Sequence, residues 1–164
     1  MVSRSLAKYS LPPADLTIEI TESITMKDAD QAVERLRRLK DLGVSIAIDD
    51  FGTGWSSLSY LRRLPVDFVK FDRSFTADVA TDQDAATLIK LMNNLAHALG
   101  LETVAEGIET AAQLNAVRRL GCDHVQGFHL ARPAPASAVT ELIREHRTHT
   151  REPQMAEAFV APAG

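Results

Sequence analysis

Two periods of apolar and polar residues take turns along this chain. Leu16-Thr17-Ile18-Glu19-Ile20 alternates every second residue and predicts a strand. Short apolar runs at 44–49, 67–72 and 102–105, and the segment 123–126, predict four more. Between them the period becomes helical. Val33, Leu36, Leu39 and Leu42 predict a helix that Asp28 can cap and Gly43 stops. A short helix over 57–64 is closed by Pro65. Leu88, Leu91, Met92, Leu95 and Leu99 predict a long helix over 84–99, ended by Gly100. Thr110-Ala111-Ala112-Gln113 has the pattern of a capping box opening a helix through Leu114, Val117 and Leu120. A last helix is expected over 137–147. Residues 151–164 place Pro153 and Pro162 among alanines with no period. The expected division is one domain over 1–147 and a disordered tail over 148–164.

Five strand–helix units with short connections imply an α/β fold, a parallel sheet with helices outside it. The strands are nearly continuous in hydrophobicity, as expected when both faces are covered. The chain has 164 residues, 45% hydrophobic and 24% charged, which suits one globular domain. A net charge of −4 argues against a nucleic-acid partner. A small anionic ligand would need metal cations or a placed lysine. The single cysteine, Cys122, excludes an intrachain disulfide and a cysteine-based zinc site, and reads as a small buried residue. The five histidines show no metal spacing. No apolar run approaches the roughly 18 residues of a membrane segment. The first residues lack the apolar core of a signal peptide, so a cytoplasmic location is expected.

Candidate chemistry collects where the strands end. Glu19 comes first, then Asp49 and Asp50, then Lys70 and Asp72, then Glu106, then Gln126. In a parallel barrel these positions share a pocket at the C-terminal face. A doubly wound sheet would gather them at one edge, less tightly. Four carboxylates in one pocket repel each other unless cations bind between them, and all-oxygen ligands favour Mg²⁺ or Mn²⁺ over zinc. Two ions roughly 4 Å apart clamp the attacking and leaving oxygens of a phosphoryl displacement. Lys70 could orient water, and Glu106 could ligate an ion or assist proton transfer. Each residue also has a plainer reading. A lone strand-end carboxylate caps a helix more often than it binds metal. Asp72 and Glu109 read equally as helix-terminal acids, and Gln126 as a group satisfying buried backbone.

The segments carrying these residues are Glu19-Ile20-Thr21-Glu22-Ser23, Ile48-Asp49-Asp50-Phe51-Gly52-Thr53-Gly54-Trp55-Ser56-Ser57-Leu58, Val69-Lys70-Phe71-Asp72-Arg73-Ser74-Phe75, Val104-Ala105-Glu106-Gly107-Ile108-Glu109-Thr110 and Gln126-Gly127-Phe128. In order and spacing the chain resembles the EAL domain family, phosphodiesterases that hydrolyse cyclic di-GMP to the linear dinucleotide pGpG. The resemblance implies a TIM-like (β/α) barrel. It implies Glu19 and Asp49 on a first metal, with Asp49 bridging to a second held also by Asp50 and Glu106. It implies Lys70 on the nucleophilic water, Glu22 anchoring the loop 50–56, and Asp72, Glu109 and Gln126 at the substrate site. The implied partners are cyclic di-GMP, a second copy in a homodimer, and fused N-terminal signalling domains.

Two departures set expectations for this chain. The Glu-Ala-Leu motif, whose glutamate is a metal ligand in the family, occurs nowhere here. The family's asparagine ligand has no counterpart, since residues 1–18 contain no asparagine. A TIM barrel typically takes about 250 residues. The expectation is therefore an incomplete barrel of about five βα units, weak or inactive alone. An unclosed barrel leaves strand edges unpaired and a partly wet apolar inner face, which predicts self-association. The alternative is a non-catalytic cyclic di-GMP-binding or protein-interaction module.

Overall fold

A computed structural model of the chain describes residues 2–21, 29–53 and 61–149. Five strands form one parallel sheet: β1 (Thr17–Thr21), β2 (Ser45–Phe51), β3 (Phe68–Phe71), β4 (Glu102–Ala105) and β5 (His124–Val125). The helices are α1 (Val2–Tyr9), α2 (Ala29–Lys40), α3 (Arg73–Thr76), α4 (Gln83–Ala98), α5 (Ala111–Arg119) and α6 (Ala136–His149). The capping box is present: Gln113 N–H donates to Thr110 Oγ1, and Thr110 N–H to Gln113 Oε1. α1 and α3 were not expected, and the four residues of α3 are too few for a helical period to show. The Asp28 cap, residues 57–60 of the short helix and the tail from 150 lie outside the described residues. Contacts divide the chain into two units, Met1–Ala131 with the sheet and Arg132–Gly164 with α6. No helix among the described residues is long and apolar enough to cross a membrane.

Strand order decides between the two sheet types. A doubly wound sheet reverses its order at a switch point and carries helices on both faces. Here the order is β1-β2-β3-β4-β5 without reversal. Parallel crossovers share one hand, so the helices collect on one face. The result is an α/β arc of a TIM-like barrel, incomplete and five strands wide. On the covered face Ile46, Ile48, Val69, Phe71 and Ala105 enter a single core with Val33, Leu36, Ile89, Met92, Leu114 and Val117.

Two expectations change. The buried stripe of α4 is Ile89, Met92, Asn93 and Ala96, while Leu88 and Leu91 are 43% and 62% exposed. The helix is turned to bury Asn93, a polar residue that hydropathy alone sends outward. The uncovered sheet face is also polar, not apolar. It carries Glu19, Lys70, Glu102, His124 and Gln126, with Ala47, Phe68 and Val104 as its apolar members. There the His124 ring packs edge-on to Phe68 at 5.6 Å, and its Nε2 lies 2.6 Å from Glu102 Oε2. The premise for self-association through a wet apolar inner face is therefore not met on these strands.

Two aspartates fasten the sheet at its other end in the same manner. Asp67, before β3, accepts from the Ile46 N–H of β2 at 2.8 Å and pairs with Lys40 of α2 at 2.7 Å. Asp123, before β5, accepts from the Thr103 N–H of β4 at 2.8 Å and meets His97 of α4 at 2.8 Å. Each ties a helix end to two neighbouring strands. Asn93 extends the second bracket: its Nδ2 donates to the Gly121 carbonyl at 2.9 Å, and its Oδ1 accepts from Thr103 Oγ1 at 2.6 Å.

Burial pushes the Asp123 carboxyl upward, but the hydrogen bonds from His97 and Thr103 outweigh it and hold it below its ordinary value. A depressed folded value adds stability above the ordinary carboxylate range, and that stability is lost as pH falls through the folded value. Melting curves recorded from about pH 5 down to about pH 2 should fall less steeply for Asp123→Asn. That variant keeps an acceptor oxygen and removes the charge. Identical slopes in the two proteins would contradict the bracket's ionic character.

Candidate functional site

β3 is the middle strand, so a side chain on its open face has neighbours on both sides. Val69 and Phe71 are fully buried among the helices, and Lys70 between them points to the open face. Its Nζ lies 2.7 Å from Glu19 Oε1, 3.1 Å from Asp49 Oδ1 and 2.6 Å from Glu106 Oε1. These carboxylates come from β1, β2 and the residue after β4. Lys70 itself is 5% exposed. Burial pushes its ammonium toward lower pKa, but the hydrogen bonds it donates to Glu106 and Glu19, with the Asp49 carboxylate beside it, together shift it upward, so it stays charged. An ammonium has three donors, and three carboxylates surround this one. The Asp49 contact is ionic rather than a directed hydrogen bond: Oδ1 is sealed from solvent and no donor is aligned on it.

The paired aspartates depend on a defect in the sheet. Ile48 pairs with Val69 and Phe51 with Phe71, so Asp49 and Asp50 together face Lys70. This is a β-bulge. Asp50 takes φ 55, the left-handed region that aspartate tolerates better than most residues. In a regular strand Asp50 would point into the helix layer. The bulge leaves it exposed on the rim and returns Phe51 to the core.

Glu106 is fixed by its backbone. Its N–H donates to the Phe71 carbonyl at 3.1 Å, one step beyond β4. Its own carbonyl accepts from Thr76 Oγ1 at 2.5 Å, and Thr76 is fully buried. Gly107 has φ 67, and a Cβ there would lie 2.4 Å from Arg73 Cβ. The α3 turn thus rests directly on the chain after Glu106. Thr76 and Gly107 are site-building residues that no spacing in the sequence marks.

The remaining predicted residues fall around this cluster. Asp72 caps α3, accepting from the Ser74 N–H at 3.0 Å, and the hydrogen bonds from Ser74 lower its pKa. Glu109 lies 3.8 Å from Arg73 Nη2. Gln126 joins its backbone to the end of β4 and the chain after it, its N–H donating to the Ala105 carbonyl and its carbonyl accepting from Ile108 N–H. Its side chain is exposed. Glu22 lies outside the described residues, and the loop 50–56 is described only to Thr53.

As they stand, no three acidic, histidine or cysteine side chains among the described residues are disposed to hold a metal ion. The donor set nevertheless fits one. Three carboxylates converge, all ligands are oxygen, and a buried Asp49 oxygen lacks an aligned donor. The place between them is taken by the Lys70 ammonium.

A family model for the EAL domain matches residues 2–133. The bifunctional diguanylate cyclase/cyclic di-GMP phosphodiesterase MucR of Pseudomonas aeruginosa is 48% identical over 135 residues, covering 82% of this chain and 20% of MucR. The structure of a MucR phosphodiesterase–c-di-GMP complex superposes with TM-score 0.78 at 47% identity, over 84% of this chain and 56% of that one. The EAL domain of Mycobacterium smegmatis DcpA gives TM-score 0.83 at 39% identity, over 88% and 65%. Klebsiella pneumoniae BlrP1, in a manganese/cy-diGMP complex, gives TM-score 0.75 at 32% identity, over 81% and 34%. The chain spans about a fifth of the length of the curated relatives it matches.

Thr76→Val keeps the shape of the side chain and removes the donor to the Glu106 carbonyl. The unpaired carbonyl should cost about 1–3 kcal/mol in urea unfolding, and Thr76→Ser should recover most of it. A valine variant as stable as the parent would show that the hydroxyl does not fix Glu106.

Proposed function

This chain belongs to the EAL domain family, and on that premise we propose that it is the C-terminal part of a metal-dependent cyclic di-GMP phosphodiesterase domain. One observation carries the reading. Glu19, Asp49 and Glu106, from three separate βα units, converge on Lys70 at the ends of adjacent parallel strands. Structural caps need not converge, but a site for chemistry must.

Glu19 and Asp49 would hold one ion, and Asp49, Asp50 and Glu106 a second, with Mg²⁺ or Mn²⁺ suited to oxygen ligands. Bound ions supply an acidified water and neutralise charge on the phosphodiester. Lys70 Nζ donates to the attacking water and aims its lone pair at phosphorus. Glu106 Oε1, beside Nζ, accepts the proton that water loses. The hydroxyl oxygen bonds to phosphorus, one ester P–O bond breaks, and the departing ribose oxygen takes a proton from solvent, leaving pGpG. Gln126, exposed next to the Glu106 segment, would touch substrate, as would Asp72 and Glu109. Glu22 would anchor the loop 50–56. The same reading takes a second copy and fused signalling domains as partners and the cytoplasm as the location.

The chain covers only part of the domain seen in its solved relatives. Loss of even one supporting metal contact typically costs about 10–100-fold in activity. With excess Mn²⁺, chromatography should show slow conversion of cyclic di-GMP to pGpG, well below the rate of a complete relative. Asp49→Asn should lower it by about a further 10–100-fold or more. Turnover indifferent to Asp49→Asn would refute the site. Tight metal-independent binding without product would favour a binding module instead.

A further inference from the structure

We infer that Lys70 is the resident cation of this site: its ammonium holds Glu19, Asp49 and Glu106 together, and a divalent ion must displace it to bind. The inference rests on the metal-dependent reading above and adds what the chain does before metal arrives.

The count of donors and acceptors leads to it. Lys70 has three N–H groups and meets three carboxylates at 2.6, 2.7 and 3.1 Å. Glu19 and Glu106 lie within hydrogen-bond distance of Nζ, and Asp49 adds an ionic contact on which no N–H is aligned. The carboxylates that would bind an ion each turn one oxygen toward Nζ. This explains why converging acids offer no ready metal cage. Lys70 is also nearly sealed from solvent, so its charge cannot be replaced by water. Removing one partner from a buried ionic cluster leaves the others uncompensated.

Two consequences follow from the shared carboxylates. Metal affinity is lower than three carboxylates alone would give, because each ion must first break the lysine contacts. Conversely, an ion that takes these carboxylates releases the Lys70 donors that Glu19 and Glu106 engage. The lysine's flexible four-carbon stem can move its charge aside, whereas a rigid planar guanidinium cannot do so as readily. Metal entry and the arming of Lys70 are then one exchange.

The test uses the full chain and Mn²⁺, with free Mn²⁺ read by electron paramagnetic resonance and stability by thermal melting. Lys70→Met should melt lower than the parent without metal. It should bind Mn²⁺ at least about tenfold more tightly, since a like charge a few ångströms away has gone. Added Mn²⁺ should raise its midpoint more than that of the parent. Lys70→Arg keeps the charge and should bind no better than the parent. Should Lys70→Met not fold, the parent alone decides the matter. Its lysine ammonium resonances should include one protected from exchange, and Mg²⁺ should shift or abolish that signal. Binding by Lys70→Met that is equal or weaker, or a protected resonance unmoved while Mg²⁺ binds, would overturn the exchange and leave the metal site standing. Failure of both folded proteins to bind Mn²⁺ would remove the metal site and this inference with it.

Discussion

The ammonium of Lys70, set among Glu19, Asp49 and Glu106, is the interaction on which the open face of this sheet depends. Three carboxylates within reach of one another would repel across a partly water-excluded surface. A single buried positive charge on the central strand turns that repulsion into attraction. It also links β1, β2 and the end of β4 through side chains, where backbone pairing links them only to immediate neighbours. The charge is held at its post by the alternation of β3, which buries Val69 and Phe71 on one side and so presents Lys70 on the other.

The rest of the architecture keeps the strand ends in register around that charge. A bulge in β2 brings a second aspartate to the rim at the cost of a left-handed backbone at Asp50. Such strain persists where surrounding structure holds it, and it gathers at functional sites. Phe51, buried just after the bulge, supplies part of that hold. Thr76 and Gly107 do the same for Glu106, one by a hydrogen bond and the other by the absence of a side chain. At the opposite end, Asp67 and Asp123 each join a helix terminus to two strands. The brackets and the Lys70 cluster thus occupy opposite ends of the same strands, the ends where barrels generally keep stability and chemistry.

Much of this was legible beforehand. The five strands and the helices α2, α4, α5 and α6 follow from periods of two and 3.6 and from glycine stops, because burial of one face imposes those periods directly. The membership of the cluster was legible too, since Glu19, Asp49, Lys70 and Glu106 each sit at a strand end. What misled was the assumption that apolar means buried. Asn93 is buried because its amide meets Gly121 and Thr103, and Leu88 is exposed because the helix turned to make that possible.

The sequence by itself determined the order of elements, the parallel connection and the set of acids and one lysine available for chemistry. These are local properties, fixed by which residues can share a helix face or a strand. Tertiary structure alone decided that the strands follow one another without reversal and that Asp49 and Asp50 share a bulge. It alone decided that three carboxylates spend their charge on Lys70. Such contacts join residues far apart in the chain, and their energy depends on distances of a few tenths of an ångström that no local pattern encodes.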